Sequence, residues 1–365
     1  MRDRNLTDNR CALPHGLHTA MPKAGISANL DILRTIAVLC VFGSHLFPIV
    51  GFRQIEVLGE FGVVMFFVHT SVVLMQSLQR MDGVAADDRR LAIAFWIRRV
   101  FRIYPLAILF VLLVTIFRIP YSPGFAYRWI GVKSVLANLA LVQNLTGSKN
   151  VLAPMWTLPL EVQMYAILPF AYLFLSPNFS RPDRRYRSVV LWLASIPLAI
   201  LLPRVNYRLY IASYAPCFMA GVLAFDLLRH RRAGAKRLPA WLWPTGILIA
   251  VILFNPLTSP GHHYYRSWIL TLGVALLYAN VEEAADSPFQ KIFHWIAEHS
   301  YGIYLSHIVV IWFVFDAMAG SPVWARGSVL VSASIAIPAL LYRYIERPLI
   351  LAGGHISQRI LHPRL

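Results

Sequence analysis

Charge is scarce in this 365-residue chain. Only 14% of its residues are charged, against about 25% in a soluble domain, while 58% are hydrophobic and the mean hydropathy is +0.57. So few charges cannot coat a water-soluble surface, and lipid becomes the expected solvent. Windows such as 32–50 and 62–78 run for at least 17 residues almost without charge, and 188–202 is only slightly short for an untilted span. Cysteine is scarce too. Cys11, Cys40 and Cys217 are too few and too scattered for a disulfide framework. Cys40 and Cys217 sit in apolar segments, where packing is the expected role. Zinc-type Cys/His spacing, a phosphate loop and a Gly-x-Ser-x-Gly elbow are all missing. No internal repeat is visible, which counts against an inverted-repeat transporter. No cleavable signal peptide is visible either: the first 25 residues are polar, and the first apolar run is long enough to span. Met21 lies just ahead of that run and offers an alternative start that would make residues 1–25 dispensable.

Acidic residues are the scarcer sign, 17 against 34 Lys and Arg, for a net charge of +17. Nucleic acid is not the expected partner, because a binding footprint needs one solvated basic patch. Here the basic residues form short clusters between apolar runs, as topology-setting cytoplasmic loops do. The expected fold is all-α: a polytopic bundle of about ten spanning helices near 30–50, 60–79, 102–119, 157–176, 188–203, 209–228, 240–256, 265–281, 300–319 and 325–346. With both termini cytoplasmic, inside segments hold 24 of the 34 basic residues and outside segments nine, with Arg34 inside a span. That asymmetry favours this orientation. The domain reading is a flexible polar tail at 1–28, a transmembrane domain at 29–349 and a short cytoplasmic tail at 350–365. The longest outside connection is 120–156, and its apolar stretch 132–143 is short enough to be re-entrant or interfacial.

Ionisable groups inside spans are costly and usually functional. Arg34 and His45 are eleven residues apart on one predicted helix, close to three full turns, so they share a face and are separated by a rise of about 16 Å. That is similar to the reach of an extended pantetheine arm; a snorkelling Arg with a packing His is the alternative. Arg98, Arg99 and Arg102 precede Ile103-Tyr104-Pro105 at the expected cytoplasmic start of a span. Guanidinium forks suit phosphate groups, and a positive-inside anchor is the alternative. Glu161, in Trp156-Thr157-Leu158-Pro159-Leu160-Glu161, lies about one turn inside the outer surface, at a depth expected to match His45. The two could form an acid/base pair, or Glu161 could bond a neighbouring helix. Ser300, Tyr301, Tyr304 and His307 make a polar stripe, and Glu346 is placed to pair with the arginine cluster. His69 is isolated and reads as a packing residue.

These segments, in this order, resemble the acyltransferase 3 family of membrane-bound O-acyltransferases over about residues 29–349. The resemblance implies that His45 is the essential histidine, that Arg34 is its paired arginine, and that Arg98, Arg99 and Arg102 sit at the acyl-CoA site, with Tyr301 and His307 as further candidates for that site. It implies acyl-CoA, acetyl-CoA foremost, as a co-substrate rather than a resident cofactor. It also implies a sugar hydroxyl or glycan as acceptor, and the bacterial inner membrane as location. The chain departs from the family at 69–71: Thr70-Ser71 stands where the family has Ser-Gly, and His69 replaces an apolar residue. A missing Gly there implies a looser backbone approach or an altered pocket. Only 17 residues follow Pro348, so handover to a soluble esterase-like domain would need a separate protein.

The mechanism this suggests uses His45 as general base on the acceptor hydroxyl, with Glu161 orienting it or sharing the proton. A covalent acyl-His intermediate stays open. Arg34 would stabilise the thiolate or shape the tunnel. The rival class is a transporter or flippase, which would move substrate without consuming acyl-CoA. A lipid-linked sugar polymerase or ligase would be expected to carry a larger, more charged outside loop than 120–156.

Overall fold

The computed structural model of the chain describes residues 27–52, 57–176, 186–232, 234–257, 264–285 and 287–362. Most of the expected N-terminal tail, with Cys11 and Met21, lies outside the described residues. So do Arg53, Arg181, Arg184, Arg185 and Arg364, which enter the count of basic residues on the two sides. Among the described residues the structure is all-helical apart from one isolated bridge, Leu238 with Val281.

The helices are α1 (Ala28–Leu46), α2 (Val57–Asp82), α3 (Asp88–Ile116), α4 (Val132–Leu139), α5 (Gln143–Thr146), α6 (Thr157–Leu175), α7 (Arg187–Val205), α8 (Ala215–Arg229), α9 (Leu242–Leu257), α10 (Tyr264–Asn280), α11 (Pro288–Trp312), α12 (Val323–Leu341) and α13 (Arg347–Leu361). Local chemistry sets several starts. The Ser27 and Asp87 side chains accept from the backbone N–H groups of Leu30 and Arg90, and Ser287 caps α11 just ahead of Pro288; each satisfies an otherwise orphaned donor.

Among the described residues, eight helical stretches are long and apolar enough to cross a membrane. The chain is a multi-pass membrane protein on that count, and its surface agrees. Ile116, Leu201, Leu248, Ile252, Ile269, Val323 and Val331 expose about half or more of their area. Bands of this kind on helix flanks need lipid, not water. The helices α9 and α10, which match the expected spans at 240–256 and 265–281, are shorter, at 16 and 17 residues.

The interior is built on α1, α2, α8 and α11. α1 packs on α2 and α11, and α2 packs on α8, which in turn meets α7 and α10. Small residues let the backbones approach. A Cβ on Gly221 of α8 would strike the Val68 carbonyl oxygen and come within 2.7 Å of Ser71 Cβ. This corrects the expectation of a looser approach at 69–71: the glycine lies on the partner helix, so contact at Ser71 is close. Substituting Gly221 by Leu is expected to lower stability by about 1–3 kcal/mol through overpacking, read as a lower unfolding temperature in detergent micelles.

Three further expectations change. α3 begins at Asp88, not near 102, so Arg98, Arg99 and Arg102 lie ten to fourteen residues into a helix, well past its first turn. The hydropathy of 88–101 is too low to announce a span, yet α13 covers this part of α3. The stretch 132–143 is not one re-entrant piece. It breaks into α4 and α5 at Leu141, which has a positive φ of 55°. The short tail expected at 350–365 is helical over most of its length. A π-helical turn, Tyr342–Glu346, follows Pro338 and leads directly into α13, which packs on α3 through Arg98 Nε donating to Ser357 Oγ at 2.8 Å.

Candidate active site

Arg34 and His45 lie on an unbroken α1, and both turn toward α11 rather than outward. Arg34 Nε donates to Ser300 Oγ at 2.6 Å. The His45 ring centre lies 5.2 Å from that of His307. α1 and α11 therefore run side by side in the same direction. Asp31 with His294 at 2.9 Å and Thr35 donating to the Phe293 carbonyl mark their starts.

Glu161 accepts from the Tyr165 hydroxyl at 2.6 Å, one turn along α6. Its charged neighbours are Arg34, Arg102 and Arg99. The expected pairing of Glu161 with His45 is thus corrected: the carboxylate sits at the arginine level. The reason is local. A 3-10 turn, Ala153–Trp156, precedes α6 and puts Glu161 a turn deeper than counting from Thr157 suggests. Thr157 occupies the level between, bonded to the Tyr304 hydroxyl at 2.7 Å.

The arginine cluster is split in its contacts. Arg102 forms an ion pair with Glu346 at 3.1 Å, the carboxylate fully enclosed. The pairing of Glu346 with this cluster is as the sequence suggested, and the π-helical turn aims it inward. Arg99 stacks over the Phe95 ring at 5.7 Å, near Tyr165 and Glu161, and its Nε is buried without a partner. Arg98 is held on Ser357. Tyr301 donates to the Ile103 carbonyl at 2.7 Å, tying α11 to α3 beside Arg102. His69 is buried, as a packing residue would be, and Arg34 is among its charged neighbours.

His307 is fully buried. Its Nδ1 lies 2.7 Å from the Tyr304 carbonyl oxygen. A carbonyl only accepts, so Nδ1 carries the proton and the neutral ring keeps its lone pair on Nε2. That Nε2 has no partner. Tyr304 donates its hydroxyl proton to the Pro154 carbonyl at 2.7 Å, so Thr157 is the donor to Tyr304. Arg34, His45, Glu161, Arg99 and Arg102 are only partly buried although their partners are interior. They therefore border a space that water can enter. From α13 to the ends of α1 and α11 the groups form one polar column: arginines with Glu346, then Arg34 with Ser300, Glu161 and His69, then Tyr304 with Thr157, then the two histidines. Sequence reading named most of these groups but missed the His45–His307 and Arg34–Ser300 pairs. The signal was present in the matching order of polar positions along two helices that start on the same face.

The comparisons with known proteins point the same way. A family model described as an acyltransferase domain, acyltransferase 3, matches residues 27–343. Peptidoglycan O-acetyltransferase OatA of Listeria monocytogenes is 24% identical over 359 residues, covering 88% of this chain and 55% of the relative. YrhL of Bacillus subtilis is 25% identical over 92% of this chain and 57% of its own length. Acyltransferase MdmB of Streptomyces mycarofaciens is 25% identical over 92% of this chain and 90% of the relative. The chain thus spans just over half the length of two of these proteins. No solved structure matches it significantly. A family match over residues 27–343, which takes in Arg34, His45, Arg98, Arg99, Arg102, Glu161 and His307, places the chain in the acyltransferase 3 family.

Proposed function

We propose that this protein moves an acyl group, acetyl foremost, from cytoplasmic acyl-CoA to a hydroxyl of a glycan on the far side of the bilayer. The observation that carries this reading is the continuous column linking a triple-arginine cluster to a histidine pair. A transporter would also need intramembrane charge, but phosphate-suited forks at one end and a histidine pair at the other match the needs of thioester transfer more closely.

Arg99 and Arg102, with Arg98 behind them, would receive the CoA phosphates. The pantetheine arm would pass Arg34 and reach the histidines, a rise of about 16 Å along α1. The acceptor oxygen attacks the thioester carbonyl while His45 takes its proton. The C–S bond breaks, and the thiolate leaves as CoA after receiving that proton. His307, whose free Nε2 lies on the ring packed beside His45, would orient His45 and pass the proton. Arg34 would shape the passage that the pantetheine arm follows. Glu161 would tune the arginines rather than the base. A covalent acyl-His intermediate remains the second route.

The fuller topology belongs to this reading: ten crossings, both termini cytoplasmic, in a bacterial inner membrane. Ser27 and Asn29 at the start of α1 bond Glu283 and Glu282 before α11, so those ends share a face. The names of the relatives support an O-acetylated glycan such as peptidoglycan as acceptor.

The test is thioester consumption by the purified chain in lipid nanodiscs with acetyl-CoA. Free CoA should appear only when a glycan oligomer is added, and acetyl mass should appear on the oligomer. Transbilayer movement of labelled glycan with no CoA release would instead make the chain a transporter.

A further inference from the structure

In the connection 117–131 the sequence turns from aliphatic to aromatic and basic. This connection and residues 149–151 enclose a cavity of about 430 Å3, within the size range of small-molecule sites. Tyr121, Tyr127 and Trp129 line it with Arg128, Lys149 and Asn150, and none of its lining residues is acidic. Trp129 is 54% exposed and Tyr121 47%, so their ring faces are open.

An interfacial aromatic belt would account for exposed rings, but not for the frame that holds this concave shape. Asn138 is completely buried. Its amide donates to the Ser134 and Lys149 carbonyls at 2.7 and 2.8 Å, and its oxygen accepts from the Val151 N–H at 3.1 Å. Ala153 N–H donates to the Tyr121 carbonyl at 3.1 Å. Gly124 N–H donates to the Asp316 carboxylate beyond α11. The frame leads straight to the column. Pro154, three residues past Val151 and so within about 11 Å of it, accepts from Tyr304, whose own carbonyl holds His307.

We infer that this cleft is a subsite for a carboxylate-bearing glycan. It grips sugar residues next to the one that is acylated. Flat aromatic faces suit the apolar faces of pyranose rings. The Arg128 fork and the Lys149 ammonium suit a carboxylate; no acidic residue lines the cleft, and the nearby Asp316 carboxylate is held by the Gly124 N–H. The inference deepens the proposed function and rests on its reading of the acceptor as a glycan.

The experiment is calorimetric titration of the full chain in nanodiscs, without acyl-CoA. The probes are a neutral N-acetylglucosamine tetramer and an oligomer alternating N-acetylglucosamine with N-acetylmuramic acid. The carboxylated oligomer should bind about tenfold tighter, with the advantage shrinking at high salt. Arg128→Gln should erase that advantage. Trp129→Ala should weaken both oligomers about tenfold, and Trp129→Phe should restore most of the loss. Unfolding temperatures should stay at the wild-type value. In turnover assays both weakening variants should raise KM for the acceptor and leave KM for acetyl-CoA unchanged. Equal binding of the two oligomers, no binding by wild type, or unaltered binding in Trp129→Ala and Arg128→Gln would overturn the inference. Failure of the transfer reading looks different: the oligomer binds in the cleft, yet no CoA is released with it.

Discussion

Replacing His45 by alanine is expected to lower kcat for glycan acylation by about 10²–10⁴-fold, the usual contribution of a positioned general base. The protein should still insert and accumulate. His45 is only partly buried and makes no hydrogen bond that the packing of α1 on α11 depends on; that packing rests on Asp31 with His294, Thr35 with Phe293 and Arg34 with Ser300. Nothing large is lost from the fold. The measurement is CoA release in nanodiscs at saturating acetyl-CoA, beside membrane levels of the variant. His307→Gln should fall in the same range but for a different reason, because the amide keeps a donor for the Tyr304 carbonyl and loses the basic lone pair. Near-normal turnover in His45→Ala would remove the mechanism. Normal turnover in His307→Gln alone would remove only the proton relay.

The second large effect is on stability. Glu346 is enclosed and its ion-pair partner is Arg102 at 3.1 Å. Deleting Arg102 leaves the enclosed Glu346 without its partner, whereas deleting Glu346 leaves a guanidinium that borders a space water can enter. Arg102→Met is therefore expected to destabilise by about 3–5 kcal/mol, and Glu346→Leu by less. The double variant should lose less than Arg102→Met, since it leaves no orphaned carboxylate. Thermal unfolding of all four proteins in one detergent closes the cycle. If the two single losses simply add, the pair is not coupled, and Arg102 is held by other groups. Turnover adds a separate readout. Arg102→Met should raise KM for acetyl-CoA because a donor-binding cation is gone. The double variant should not regain that affinity even as it regains stability.

The residues differ in how far the sequence revealed them. The Arg34–His45 stripe was legible because eleven residues of one helix fix a direction through the helical repeat alone. The same reasoning misplaced Glu161: a single 3-10 turn ahead of α6 moved it by one turn, and nothing in Ala153-Pro154-Met155-Trp156 separates that turn from a loop. The start of α3 was missed for the opposite reason. Its first turns carry Arg89, Arg90, Arg98 and Arg99 and fail any hydropathy threshold, yet they are helical and covered by α13. The histidine pair left a signal in the matching order of polar positions along α1 and α11, but using it requires knowing which helix lies beside α1.

Composition and periodicity by themselves determined that the chain lives in lipid, that it is helical, and that a basic and an imidazole side chain share one stripe. These follow from short-range rules: burial of backbone polar groups inside helices, and a fixed angle per residue. Tertiary packing decided everything that depends on two helices meeting. It set Glu161 among arginines instead of beside His45, put His307 next to His45, carried Glu346 inward on a π-helical turn to Arg102, and bent 117–131 over an aromatic cleft. Neighbour relations of this kind come from the fit of surfaces far apart in the chain, such as Gly221 against Val68 and Ser71, and no local pattern encodes them.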